Sequence, residues 1–326
     1  MKFLVVGLGS MGKRRIRCLK ALGFADITGA DLREDRRQEV ERLHSIKTLS
    51  RVDAESLASV DAVIISTPPN HHLEYLKAAV GAGKHVFVEA SVVAAGLSDI
   101  DALARGKGVI VAPSCTLRFH PAVKQVAGLV TGGTLGKVAN FSYHSGQYLP
   151  DWHPWEKVAD FYVSNPETGG AREIVPFELT WLTEVFGWPS SVSGARASTM
   201  DVGAAIDDTY ILTLRYPRTL GVLIVDVVAR AAIRRLLVNM ERGQITWDWG
   251  ENAVRVYESD TGKWVAHSLP EPKAAAGYNK NIAEQMYVDE IASFVGAISG
   301  GDTFPNTLSD DIRVLSLLYE AEEGGA

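Results

Sequence analysis

The run MKFLVVGLGSMG opens the chain and sets Gly7, Gly9 and Gly12 in G-x-G-x-x-G spacing. Positions without a Cβ let a backbone turn tightly, let a pyrophosphate approach it, and let the next helix pack close to the preceding strand. The helix that follows then aims its free N–H groups at the phosphates. Asp31 comes about 19 residues after Gly12, near the spacing of a carboxylate that accepts both ribose hydroxyls of NAD and repels a 2′-phosphate. Arg33, with Arg36 and Arg37 close behind, offers the opposite chemistry, since a guanidinium there holds the 2′-phosphate of NADP. The carboxylate favours NAD as cofactor and leaves NADP open.

A second group of reactive side chains lies in YLPDWHPWE, residues 148–156. Trp152 and Trp155 present flat faces suited to a sugar ring, while Tyr148, Asp151 and His153 supply donors and acceptors. His153 titrates near neutrality and can serve as acid or base. The same aromatic residues serve equally well to pack a subunit interface or to seal the loop onto a sheet. Arg172 can bind a carboxylate or a sugar-nucleotide phosphate, or close a salt bridge. Neither a C-x-x-C pair nor an H-E-x-x-H helix occurs, so no metal site is expected.

Alternating strands and helices must position these residues. Apolar runs predict strands at Phe3–Val6, Asp26–Ala30, Ala62–Ser66, His85–Glu89 and Val109–Ala112. Helices are expected near Ser10–Leu22, Arg33–Leu43, Asp53–Ser59, Asn70–Ala82 and Ser98–Arg105, with Asp53, Asn70 and Ser98 as N-caps. This order predicts an α/β, doubly wound parallel sheet of Rossmann type over residues 1–118. Thr67 and Pro68 follow the third of these strands, at the sheet edge where ligands bind in such folds.

The pattern changes after Arg118. A helix at Pro121–Val130, a strand at Lys137–Gln147 and a helix at Ala171–Phe186 precede a series of strands with short turns, from Val192–Thr199 to Lys263–His267. Leu220–Val228 reads as one strand and Arg234–Met240 as the next. Pro176 is awkward inside a helix, so the helix can instead begin there, leaving Glu173 on a loop. Residues 119–326 thus form an α+β domain with an open, mainly antiparallel sheet. Leu212, Leu214, Val222, Ile224 and Val238 supply apolar surface for helices on one face, and the other face can pack against a second subunit. Helices at Ile282–Ile298 and Ser309–Ala321 close the chain, the last able to return to the first domain, and the tail from Glu322 is expected to fray.

A hydrophobic content of 46%, a charged content of 22% and a mean hydropathy of +0.03 describe an ordinary globular chain. A net charge of −6 argues against a nucleic-acid footprint, and no apolar run is long enough to span a bilayer. Cys18 and Cys115 read as reduced core thiols of a cytoplasmic protein.

The run STPPNHHLEYLKAAVGAGKHVFVEA at residues 66–90, GLGSMGKRRI at 7–16 and RFHP at 118–121 resemble the glucose-fructose oxidoreductase, inositol dehydrogenase and rhizopine-catabolism family (Gfo/Idh/MocA) from end to end. The resemblance implies a nicotinamide cofactor across the carboxyl edge of the first sheet, touched by Gly7, Gly9, Ser10, Met11, Gly12, Asp31, Arg33, Thr67, Pro68, His72 and Glu89. For His72 a local hydrogen bond at the helix start is the competing role. Arg118 is a further candidate substrate contact, and the open sheet points to a homo-oligomer, dimer or tetramer. YLPDWHPWE is similar to a stretch in members linked to surface-sugar biosynthesis.

The chain departs from that family where protons move. The family's Glu-Lys-Pro reads Glu89-Ala90-Ser91 here, and its Asp and His, four residues apart on a helix, read Glu173 and Phe177. The expected function is therefore hydride transfer to or from a sugar, polyol or sugar-nucleotide derivative, with Glu173, His153 or Tyr148 as substitute acid–base groups. The alternative is a non-catalytic sensor or scaffold that binds NAD(P).

Overall fold

The computed structural model describes residues 1–154, 156–160, 162–271 and 284–324. The chain divides into two compact units, residues 1–116 with 285–313, and residues 117–284 with 314–326.

In the first unit the strands are Phe3–Val6 (β1), Ile27–Ala30 (β2), Lys47–Leu49 (β3), Ala62–Ile65 (β4), His85–Val88 (β5) and Val111–Pro113 (β6). All pair in parallel, in the order β3-β2-β1-β4-β5-β6. Every residue of β1 and β4 is buried, as central parallel strands covered on both faces require. The helices are Ser10–Ala21 (α1), Glu34–His44 (α2), Ala54–Ala58 (α3), His72–Gly81 (α4) and Leu97–Lys107 (α5). The strand order reverses between β1 and β4, so the loops leaving them part and open a crevice. Gly7 and Thr67 stand at its two lips.

Three local expectations change. The strand β3 was not expected, because KTL is short, half-exposed and without alternation. Asn70 does not cap a helix, since Pro69–His71 forms a 3-10 turn and α4 begins at His72. Ser98 lies inside α5, which starts after Gly96. Asp53 does cap α3, in a capping box with Ser56.

Arg15 of α1 is 0% exposed. Its Nε and Nη2 donate to both oxygens of Glu89 at 2.7 and 2.8 Å, and its Nη1 donates to Glu290 at 2.7 Å. Glu290 lies on Glu284–Ile298 (α8), and also accepts from Ser114 Oγ, Cys115 N and Thr116 Oγ1. The helix expected from Ile282 is therefore described from Glu284; residues 282 and 283 lie outside the described set.

In the second unit an eight-stranded sheet runs β14-β13-β12-β11-β7-β10-β9-β8. Its strands are Val138–Tyr148 (β7), Ser191–Ala197 (β8), Thr209–Arg215 (β9), Leu220–Asp226 (β10), Val228–Met240 (β11), Gly243–Asp248 (β12), Ala253–Glu258 (β13) and Lys263–Ser268 (β14). Only β10 and β7 pair in parallel. The single strand expected at 220–228 takes in all of β10 plus the first residue of β11, which flank β7 on opposite sides and are parted only by Val227. The β11–β7 register shifts between Val228 and Ile233. The helices Pro121–Thr131 (α6) and Ala171–Phe186 (α7) belong to this unit. Leu212, Leu214, Leu223 and Val238 are buried on one face. Val222 and Ile224 face the other way, because side chains alternate along β10 and Leu223 and Val225 take the inward positions. The last helix is Leu308–Glu323 (α9); Glu322 does not fray, being held by Arg172 and Tyr210.

Among the described residues no helix is long and apolar enough to cross a membrane. Cys18 and Cys115 are both buried, and neither forms a disulfide among the described residues.

Replacing Arg15 by Met leaves buried Glu290 and part-buried Glu89 without their counter-charge. Removing one partner of such a group costs about 3–5 kcal/mol. Urea unfolding of Arg15→Met should show that loss in the transition of the first unit; a midpoint equal to that of the natural chain would contradict it.

Candidate functional site

The glycine turn has no room for side chains. A Cβ on Gly12 would lie 1.8 Å from the Gly7 carbonyl oxygen, and one on Gly7, whose φ is +87°, would lie 2.6 Å from that of Ser66. Gly9 is different: a Cβ there meets only the Arg36 guanidinium, at 3.6 Å. Gly9 is the N-cap of α1, whose first turn has neither a side-chain cap nor an acidic residue. The N-terminus of α1, carrying Ser10 and Met11, is thus a positive end with no acidic residue in its own first turn.

Asp31 ends β2 and turns back to this loop. Its Oδ2 accepts from Leu8 N at 2.7 Å and its Oδ1 from Arg33 N at 2.9 Å. Each carboxylate oxygen keeps a lone pair for a ribose hydroxyl. Arg36 Nη1 stands 3.7 Å from Asp31 Oδ2, and Arg37 Nη1 donates to the Asp31 carbonyl at 2.8 Å. Arg33 instead turns to Asp35. Gly7, Asp31, Arg33, Thr67 and Pro68 line one cavity of about 220 Å³, with Arg36 and Arg51. A larger cleft of about 600 Å³ adjoins it, sharing Val52 and Tyr75, but its Asp53 is used as a cap and its Lys84 is bound to the Val60 carbonyl.

His72 is 4% exposed, and burial pushes its pKa down to about 4. The neutral ring donates from Nε2 to the Thr67 carbonyl at 2.9 Å, the local bond weighed from the sequence, which leaves Nδ1 as an acceptor. That Nδ1 and Thr67 Oγ1 are both buried without a partner. A glycine turn closed to side chains, an uncapped helix start, a fixed carboxylate and two orphaned polar atoms fit a dinucleotide. Glu89 takes another part from the one expected. Both its oxygens are held by Arg15, with Ser66 Oγ on one of them, so it anchors the tip of β5. Ala90 follows directly.

In the second unit, α7 begins at Ala171 and continues through Pro176, so Glu173 lies on its first turn and not on a loop. Pro176, the sixth residue of α7, forgoes the bond that an N–H there would give to the Arg172 carbonyl. Glu173 Oε1 accepts from Tyr162 OH at 2.8 Å, while Oε2 is sealed from solvent without a partner. Burial raises the Glu173 pKa from 4.5 to about 7, against a smaller lowering by the Tyr162 hydrogen bond. Phe177, one turn on, offers no proton.

Three expected contacts are spent elsewhere. Arg118 donates to the Thr180 carbonyl and pairs with Glu184 at 3.1 Å, with its side chain 9% exposed. Arg172 forks onto Glu322 at 2.7 and 3.1 Å, so the salt bridge prevails over the anion site. His153 is paired with Glu156 at 2.6 Å. Tyr148 lies under the Arg230 guanidinium at 3.8 Å. Trp152 is half-buried, with its Nε1 sealed and unpartnered. Trp155 lies outside the described residues.

A buried network on α7 was missed from the sequence. Glu178, 0% exposed, accepts from Tyr143 OH, Ser145 Oγ, Trp181 Nε1 and Arg234. The signal was present: a carboxylate on the apolar stripe of Val175, Leu179 and Leu182.

Strand order, glycine turn and Asp31 define a dinucleotide-binding α/β unit. Residues 1–114 match the sequence model described as "Oxidoreductase family, NAD-binding Rossmann fold", and residues 123–246 match the GFO/IDH/MocA C-terminal domain. The chain is 30% identical over 339 residues to the myo-inositol 2-dehydrogenase of Thermotoga maritima, covering 99% of this chain and 96% of that protein. With an uncharacterized oxidoreductase of Escherichia coli, YdgJ, it shares 29% identity over 57% of its length and 53% of that protein's, so it spans about half of that relative. Its fold matches that of a levoglucosan dehydrogenase in complex with NADH and levoglucosan, with a TM-score of 0.82, 17% identity, and coverage of 99% and 96%. The chain belongs to the Gfo/Idh/MocA family of oxidoreductases and carries its NAD-binding Rossmann domain.

Asp31→Ser removes charge-assisted bonds worth about 1.5–3 kcal/mol each, so calorimetry should show NAD binding weakened about tenfold or more, and NADP binding improved. NADP bound more tightly than NAD by the natural chain would reverse the preference.

Proposed function

We propose that this chain transfers hydride between NAD and a carbohydrate-like alcohol or carbonyl, with Glu173 exchanging the proton. The observation that carries this reading is the state of Glu173: a carboxyl with one oxygen fixed by Tyr162, the other unpartnered, and a pKa near 7. An acid–base group works best when its pKa lies near the working pH. NAD, when bound, supplies the hydride acceptor. Tyr162 orients the carboxyl, and the exclusion of solvent keeps it from ionising early. The names of two relatives, a myo-inositol dehydrogenase and a levoglucosan dehydrogenase, support a polyhydroxylated substrate. Ala90 and Phe177 support the second reading, a sensor that binds NAD without turning anything over, because neither can exchange a proton.

Alcohol oxidation needs ionised Glu173 and carbonyl reduction needs the protonated form. Oxidation should therefore rise to a plateau through pH 7 and reduction should fall. Glu173→Gln should cut either rate by about 10² to 10⁴ and flatten both profiles, with NAD affinity unchanged. Unchanged turnover in Glu173→Gln would remove Glu173 from the mechanism; no turnover by the natural chain on a broad sugar panel, with NAD bound, would favour the sensor.

The same group leaves a mark on stability. Its folded pKa of about 7 exceeds the ordinary 4.5, so between those values the folded chain holds a proton that the unfolded chain has lost. Stability then declines as pH rises through this window and levels off above it. The melting temperature of Glu173→Gln, relative to the natural chain, should climb between pH 5 and pH 8; a constant difference would refute the assignment.

The outer face of the large sheet supports a homo-oligomer. Ile211 and Leu220 are each 47% exposed there, and Ile211 lies opposite Ile224 in the β9–β10 register. Light scattering should show a dimer or tetramer that Ile211→Asp shifts towards monomer, whereas a monomeric natural chain would exclude it. Its two buried cysteines, neither in a disulfide, accord with a cytoplasmic setting.

A further inference from the structure

We infer that His120 is a substrate-binding residue, its Nε2–H forming a subsite for an uncharged hydroxyl or carbonyl oxygen of a carbohydrate. This rests on the carbohydrate reading above and narrows it to ligands without charge at that subsite.

His120 caps α6. Its Nδ1 accepts from Ala122 N at 3.2 Å, which places the ring proton on Nε2. Its ring lies 5.2 Å from both Trp247 and Trp249, so its orientation is fixed. Burial, and then the charge of Arg234, push its pKa down to about 4. The ring is neutral at ordinary pH, and Nε2–H is a fixed donor that makes no hydrogen bond among the described residues. The residue keeps 9% exposure.

A cap alone does not call for histidine, since Asn, Asp or Ser caps well with fewer atoms. The imidazole adds a second nitrogen farther out, and two tryptophans hold it in place. The neighbouring charge says what that nitrogen can meet. Arg234 lies over Trp249 at 4.6 Å, but its Nε and Nη2 are bound to Glu178, which balances its charge. A carboxylate or phosphate would find no uncompensated cation in this pair. A neutral oxygen finds a rigid donor, and half-buried Trp249 gives apolar surface for the C–H groups of a ring.

The test uses the full chain with NAD. Calorimetry would measure binding of myo-inositol and D-glucose against D-gluconate and D-glucuronate, alongside turnover and melting temperature. His120→Asn keeps an acceptor for Ala122 N and removes the outer donor. It should melt close to the natural chain and bind the uncharged probes about threefold to tenfold more weakly. His120→Ala should lose both melting temperature and affinity. His120→Asn binding the uncharged probes as well as the natural chain overturns the inference, as does tighter binding of the anionic probes. Turnover by the natural chain with no effect of His120→Asn defeats this inference and leaves the proposed function standing. Binding weakened by His120→Asn with no turnover does the reverse. No binding of any probe by the natural chain defeats both.

Discussion

A guanidinium with no solvent contact imposes the tightest constraint in the first unit. Arg15 holds Glu89 at the tip of β5 and Glu290 on α8, and Glu290 in turn collects Ser114, Cys115 and Thr116 after β6. Charges withdrawn this far from solvent survive only if their oxygens and N–H groups find partners. That requirement fixes α1, the end of β5, the end of β6 and α8 against one another. The glycine turn inherits its position from α1, and the loop carrying Ala90 inherits its position from Glu89. The nucleotide cradle is thus built without help from a lysine at position 90, which explains how the one can persist where the other is missing.

The first unit was legible because its signals are local. Buried apolar runs marked β1, β2, β4 and β5, and the glycine spacing marked the turn between β1 and α1. Failures began where a residue's partner is remote in sequence. Nothing near Glu89 announces that a helix arginine 74 positions away takes both its oxygens. Nothing near Arg172 announces Glu322, 150 positions on. Each is a charged residue that reads as ligand-binding until its partner is seen. Val222 and Ile224 failed for a different reason. Both faces of β10 carry apolar residues, so alternation could not say which face is inward.

The second unit shows how one helix separates two carboxylates. Glu178 accepts from four side chains, one of them a guanidinium, and is a charged centre satisfied on all sides. Glu173, five residues earlier, has one hydroxyl and an empty second oxygen. Burial with a single partner raises the Glu173 carboxyl to about 7, the property on which the proposed proton exchange rests.

The cause of that shift matters for what such a group can do. Glu173 is raised by loss of water and not by a neighbouring negative charge. Charge–charge effects fade with added salt, whereas desolvation does not. An acid tuned by burial therefore keeps its pKa across ionic strengths, but only while the site stays dry. A lysine or histidine holds its proton chemistry in contact with water, so the family's usual pair tolerates an open site. On the proposed reading, with Ala90 and Phe177 at the positions compared with that pair, proton exchange would depend on how completely solvent is kept from a single carboxyl. Phe177, one turn along the same helix, is then more than a loss: an apolar ring at that position opposes hydration where an imidazole would invite it.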